Sequence, residues 1–184
     1  MGVDEAGRGP ALGPLVVCAI SMPKDDRRIL SDLGVKDSKK LSKKRREEIY
    51  QEIIEQSVSK NWSIGIEICE AERIDKWMSK GNLNSLEVKL FSEAICKVAN
   101  PGKKPSIFLD ACDVNEARFG RNVMASLGSE WSKCEICSSH KLDEKDLLVG
   151  AASIIAKKVR DDEVEKLSKQ LGIDLGSGYP ADPL

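Results

Sequence analysis

Asp4 and Glu5 stand side by side, and Arg8 follows between two glycines in the run Asp4-Glu5-Ala6-Gly7-Arg8-Gly9-Pro10. Adjacent carboxylates beside a cation and glycine-opened backbone amides suit a divalent metal together with a phosphate or a sugar. The run lies between two stretches of strand character, residues 2–6 and 14–22. Successive side chains of a strand point to opposite faces, so both carboxylates can serve one site only if the chain bends between or after them. Gly7 and Gly9 can supply that bend, because glycine reaches backbone angles that other residues avoid. Gly7 to Gly13 is not a phosphate loop, since no Gly-Lys-Ser/Thr follows it.

Other acids are less telling alone. Asp110 ends the apolar triplet Ile107-Phe108-Leu109, and on spacing alone it reads as a strand-end acid facing water. Asp143 reads equally well as the cap of a helix starting near Lys145, and Glu144, Asp146 and Asp161 are further acids in the same region. One histidine, His140, makes a catalytic zinc site a poor fit. Cys134-x-x-Cys137 has no second Cys-x-x-Cys, and a strand over 134–138 turns its two thiols to opposite faces, so packing is the simpler role. Lys36, Lys39, Lys40, Lys43, Lys44, Arg45 and Arg46 crowd one stretch, with Lys157, Lys158 and Arg160 further on. Such patches grip phosphates or simply solvate a helix face. Trp62, Trp77 and Trp131 form no stacking series and read as core or half-buried residues.

These residues need a frame. Residues 62–69 alternate, with Trp62, Ile64, Ile66 and Ile68 on one face of a strand. Residues 42–58 read as a helix capped by Ser42, with Ile49, Ile53 and Ile54 on one stripe. Over 84–99, Leu86, Leu90, Phe91, Ala94, Ile95 and Val98 recur at helical spacing, with Asn84 and Glu87 read as a cap and its partner three residues on. Asn100-Pro101-Gly102 stops that helix. A strand at 107–110, a helix at 115–127 and a strand at 134–138 follow. From Leu147 the chain is apolar all round through Ala156 and amphipathic beyond, a buried helix running on to the surface. Strands in a meander, then strands alternating with helices, indicate an α/β fold with a mixed sheet covered on both sides.

With 184 residues, 41% hydrophobic and 32% charged, the chain is a globular domain large enough for a real core. No apolar run approaches the roughly 20 residues of a membrane helix, and no signal segment is visible, so a cytoplasmic location with six reduced cysteines is expected.

The Asp4–Pro10 run resembles that of the type 2 ribonucleases H, the ribonuclease HII family. Asp37-Ser38-Lys39-Lys40-Leu41, Leu109-Asp110-Ala111, His140-Lys141-Leu142-Asp143, Ala151-Ala152-Ser153-Ile154-Ile155-Ala156-Lys157 and Gly176-Ser177-Gly178-Tyr179-Pro180 match in order along essentially the whole chain. The resemblance implies a ribonuclease H-like five-stranded sheet flanked by helices, over one domain of 184 residues whose last 25 or so form a helical and loop extension. It implies metal-dependent hydrolysis of the RNA strand of RNA–DNA hybrids and incision at single ribonucleotides in DNA, leaving 3′-hydroxyl and 5′-phosphate ends. Asp4, Glu5, Asp110 and Asp143 would hold two Mg²⁺ or Mn²⁺ ions, with no protein nucleophile. The backbone of Gly7-Arg8-Gly9 would sense the 2′-hydroxyl, Tyr179 would pack on the neighbouring sugar, and Lys39 would contact a phosphate. A monomer is expected, and no glutamine-led, aromatic-ended tail gives sequence support to sliding-clamp binding. Two alternatives are the type 3 relative and a catalytically silent hybrid-binding module.

Overall fold

The computed structural model describes residues 1–9, 12–35 and 41–178. Lys39 and Tyr179 lie outside the described residues. The sheet contains β1 (Gly2–Ala6), β2 (Leu15–Ser21), β3 (Ser63–Cys69), β4 (Ser106–Asp110) and β5 (Glu135–Ser139), in the order β3-β2-β1-β4-β5. The first three strands form an antiparallel meander, while β4 and β5 run parallel to β1. Parallel pairing needs long crossovers. α3 (Ala71–Met78) and α4 (Leu83–Val98) provide the first, and α5 (Glu116–Leu127) the second. α1 (Arg27–Asp32), α2 (Lys43–Lys60) and α6 (Leu147–Leu171) complete the fold. β1 is central with the Asp110 strand beside it, as the family resemblance implies.

A core lies on each face. Val3, Leu15, Val17 and Ala19 meet Leu86, Leu90, Phe91 and Ile95 of α4 and Phe119 and Val123 of α5. Phe91 and Phe119 pack edge to face, with ring centres 5.1 Å apart. Val16, Cys18 and Ile20, the alternate residues of β2, turn the other way toward Ile49 and Ile53 of α2 and Ala151, Ala152 and Ile155 of α6. Each fully buried Leu or Ile contributes roughly 1.5–3 kcal/mol. The first half of α6 is apolar all round because it is buried between the sheet and α1 and α2. It crosses β1 so closely that a Cβ on Gly2 would sit 2.4 Å from the backbone of Leu148 and Val149.

Ser42 caps α2 through its hydroxyl, which accepts from Arg45 N at 3.2 Å. The α4 cap differs from the sequence reading. Asn82 is the cap and Ser85 its reciprocal partner, so Asn84 and Glu87 are left for another use. The β3 alternation holds, with Trp62, Ile64 and Ile66 together in the core on the α2 and α6 side. Gly65 and Cys69 are the buried positions, against α4, whereas Ile64 and Ile66 are only half-buried and Ile68 is exposed. Both faces of this sheet are covered, and β3 at its edge is covered better by α4 than by the helices opposite. α1 and α3 escaped the sequence reading. They are short, and α3 buries no residue fully.

Candidate active site

Asp4 and Asp110 meet because β1 and β4 are parallel neighbours. Val3 pairs with Leu109, so the next residue of each strand is an aspartate. Asp143 arrives from the far side of β4. Its strand, β5, ends at Ser139, and the main chain then turns sharply at Lys141, which has a left-handed φ of 54°. Glu116 at the start of α5 holds this segment, accepting from His140 N at 2.6 Å and from the Ser139 hydroxyl at 3.2 Å. Leu142 N donates to Asp110 Oδ1 at 3.0 Å, which ties the turn directly to the β4 acid. One carboxylate oxygen from each of Asp4, Asp110 and Asp143 lies within 4.8 Å of the others. Asp4 and Asp143 are 3% and 2% exposed, so this is a recessed cluster rather than a solvated acidic patch.

The competing acids are engaged elsewhere. Asp146 caps α6, accepting from Leu148 N at 2.9 Å and Val149 N at 3.3 Å, and also pairs with Arg27. Asp161 pairs with Arg46 of α2 at 3.1 Å. Glu144 is exposed at the end of the turn. Among the described residues, the three aspartates are the only group of three or more His, Cys, Asp or Glu side chains gathered closely enough to hold a metal. Cys134 is buried and Cys137 exposed, so the two thiols do part. His140 Nδ1 lies 3.1 Å from the Ala111 carbonyl.

Glu5 stands outside the trio but against it. Asp4 faces α6, where the Ser153 hydroxyl and the Lys157 cation favour its charged form. Glu5 emerges on the α4 side, near Glu87 and Cys112, and its carboxyl reaches Asp4's at the end of the strand. Burial, followed by the charge of Glu5 and the carboxyl–carboxyl hydrogen bond, holds Asp4 well above the usual carboxylate range. Burial and the nearby charges of Glu87 and Asp110 raise Glu5 as well. Crowded, desolvated carboxyl oxygens with raised proton affinity are a fitting set of donors for a hard dication, which would offset both burial and repulsion.

Immediately after these acids the chain turns at Gly7, whose φ of 107° and whose approach to the Pro14 carbonyl exclude a side chain. Arg8 and Gly9 are exposed. Arg8 reaches back to α4, where Nη2 donates to Asn84 Oδ1 at 2.8 Å and Nε lies 3.0 Å from Glu87 Oε1. Glu87 is fully buried. Burial pushes its carboxyl up to about 7 despite the opposing effect of Arg8. Arg160 of α6 supports the loop from the other side. The residue is 2% exposed, and its guanidinium donates to the carbonyls of Leu12 and Ser177, each at 2.9 Å. Leu12 N also bonds the Gly178 carbonyl at 3.3 Å. The loop after β1 and the segment leading to Tyr179 are thus joined at Leu12, Ser177 and Gly178. Glu87 and Asn84 were not picked out by sequence reasoning as parts of the site, while Ser153 and Arg160 entered it only within a matched motif and a basic patch. The first two carried a capping pattern that the helix does not use.

Comparison with known proteins agrees with this arrangement. The family model described as Ribonuclease HII matches residues 1–184. The chain is 45% identical to the Ribonuclease HII of Methanocella arvoryzae, over 100% of this chain and 77% of the relative. It is 44% identical to that of Thermococcus onnurineus, over 99% and 75%. Among solved structures, ribonuclease H2 from Pyrococcus horikoshii OT3 superposes with a TM-score of 0.84 at 37% identity, covering 99% of this chain and 81% of that one. The ribonuclease HII of Archaeoglobus fulgidus, solved in complex with PCNA, gives 0.83 at 38% identity, covering 99% and 82%. A type 3 enzyme, Bst-RNase HIII, gives 0.77 at 24% identity and shares the fold. With its acids gathered at the ends of two parallel strands and its whole length matched, the chain belongs to the ribonuclease HII family, hydrolytic endoribonucleases that act on RNA–DNA hybrids.

Proposed function

We propose that this protein is a metal-dependent endonuclease that incises at single ribonucleotides embedded in duplex DNA as well as within RNA–DNA hybrids. It leaves 3′-hydroxyl and 5′-phosphate ends. The observation that carries the reading is the recessed Asp4–Asp110–Asp143 cluster, with oxygens within 4.8 Å of one another and Glu5 against it. Asp4, Asp110 and Asp143, with Glu5 directly or through water, would hold Mg²⁺ or Mn²⁺. Two such ions, when bound, supply an activated water and neutralise charge on the leaving oxygen.

The chain's own residues do the rest. Burial and Glu5 hold Asp4 well above the usual carboxylate range, so its proton would be given up when a dication binds, with the Ser153 hydroxyl and Lys157 favouring the charged form. Gly7 and Gly9 carry no side chains, so a sugar can approach their amides closely, and a 2′-hydroxyl distinguishes RNA from DNA at that point. The exposed guanidinium of Arg8 faces phosphate. Tyr179 packs against the deoxyribose next to the ribonucleotide and senses the junction, while Lys39 contacts a backbone phosphate.

The direct test uses a duplex with one ribonucleotide and a duplex with an all-RNA strand, each with Mg²⁺, with Mn²⁺ and with chelator. Cleavage of both only with metal is the expected result. Binding of both without metal-dependent cleavage would instead describe a silent hybrid-binding module.

A further inference from the structure

Glu87 is an odd residue for its surroundings. It lies on α4 next to Leu86, Leu90 and Phe91, is fully buried, and neither of its carboxylate oxygens has a hydrogen-bond donor among the described residues. Its near cation is Arg8, with Nε 3.0 Å from Oε1. Burying a carboxylate costs free energy unless it is well paired, and an apolar side chain of similar volume there is often neutral or stabilising. Stability alone therefore gives no reason for an acid at this position. Asn84, one turn earlier on the same helix, takes Nη2 of the same guanidinium at 2.8 Å. One hydrogen bond to Asn84 and one charge contact with Glu87, both from the same rigid helix, thus hold two corners of a planar group with five donors. The Arg8 side chain remains 39% exposed.

We infer that Glu87 is a positioning residue: with Asn84 it locks the Arg8 guanidinium, and through it the Gly7–Gly9 backbone, in the orientation that receives the scissile strand. The inference rests on the proposed role of that loop in substrate recognition. Glu87 touches no substrate. It acts by removing the freedom of an exposed arginine, so that the remaining donors of Arg8 already point outward before the nucleic acid arrives. The lock reaches the loop from α4, whereas Arg160 fixes its far end from α6.

The test compares Glu87→Met, Glu87→Gln, Arg8→Ala and the Arg8→Ala/Glu87→Met double variant on the single-ribonucleotide duplex, with Asp4→Asn as a reference. Glu87→Met should keep or raise the melting temperature yet lower kcat/KM by about tenfold to a hundredfold, mainly through KM, as expected for a misplaced recognition group. Glu87→Gln keeps a polar oxygen beside Nε but not the charge, and should recover part of the loss. The double variant should be no worse than Arg8→Ala alone, and the metal concentration for half-maximal rate should stay that of wild type. Wild-type kcat/KM in Glu87→Met overturns the proposal. So does a loss that persists undiminished in the Arg8→Ala background or shifts the metal requirement, either of which would trace the effect to the neighbouring Glu5 instead. A silent Arg8→Ala alongside an inactive Asp4→Asn also overturns it while leaving the nuclease centre intact. Wild-type turnover in Asp4→Asn would remove the underlying reading of that centre, and this proposal with it.

Discussion

Replacing Asp4 by Asn should make the metal-free protein more stable and the enzyme inactive. The carboxyl is 3% exposed and crowded by Glu5, and burial and that neighbour raise its pKa. An amide of the same shape keeps the packing, removes the charge, and recovers a desolvation cost on the order of 1–3 kcal/mol. For a chain of this length, each 1 kcal/mol moves the melting temperature by about 2–4 °C, so a rise of roughly 2–12 °C in chelator is expected. Asp4 and Glu5 titrate as a pair, and the direction is fixed by the raised folded-state values. Stability from the protonated pair is fully present below pH 3.8, the ordinary value for Asp4, and is lost as pH rises through the raised one. The advantage of Asp4→Asn should therefore be absent in acid and grow toward neutral pH. Metal reverses the ranking. At one hundred times its dissociation constant, an ion adds about 2.7 kcal/mol to the wild type, or about 5–10 °C, and Asp4→Asn should lose most of that rise along with at least about 99% of turnover. Thermal unfolding with chelator and with Mg²⁺ or Mn²⁺, at several pH values, measures every part of this. A variant that melts below wild type in chelator and keeps the full metal-induced rise would refute the reasoning.

Asp143→Asn should cut turnover by more than about tenfold, a loss above roughly 1.4 kcal/mol, while Asp161→Asn, whose carboxylate serves Arg46, should stay within about threefold; steady-state cleavage of both decides which acid belongs to the centre. Tyr179→Ala should lower single-ribonucleotide incision about tenfold more than cleavage of an all-RNA strand, in keeping with the roughly 1–3 kcal/mol of an aromatic on a nucleotide. Lys39→Ala should weaken both substrates alike and flatten the salt dependence of binding; the ratio of cleavage efficiencies separates the two. Arg160→Lys cannot keep both carbonyl bonds, and losing a bond from a charged donor costs roughly 1.5–3 kcal/mol. Its melting temperature should fall by a few degrees, and single-ribonucleotide incision should fall further than that instability accounts for, as a melting curve beside a cleavage assay would reveal.

The strands and long helices were legible because burial imposes period. β2 alternates between two cores, α4 carries its apolar residues at helical spacing, and α6 is apolar all round where it is enclosed. What failed was what period does not encode. Asn84 and Glu87 fit a capping pattern as well as Asn82 and Ser85 do, and only the real start of α4 separates them. In β3 alternation separates the two faces but not their depth: Gly65, with no side chain to count, marks where α4 presses closest, and a Cβ there would meet the Ala94 carbonyl at 2.8 Å.

The site was legible as a set of residues and not as a geometry, for a reason that lies in β1 itself. Neighbouring strand residues point apart, so Asp4 takes its surroundings from α6, through Ser153 and Lys157, while Glu5 takes its own from α4 and the loop after β4, through Glu87 and Cys112. The Asp-Glu pair is consequently the point where the two cores meet. Asp110 and Asp143 reach it by main-chain routes, the parallel register of β4 and the left-handed turn at Lys141, neither of which has a side-chain signature. The same division continues past the strand. Arg8 is held from the α4 side and the end of its loop from the α6 side, so the carboxylates and the glycine loop keep one mutual position only while both helical layers stay docked on the sheet. In the proposed reading, recognition by the glycine loop and hydrolysis at the carboxylates would both depend on β1, the strand that carries them.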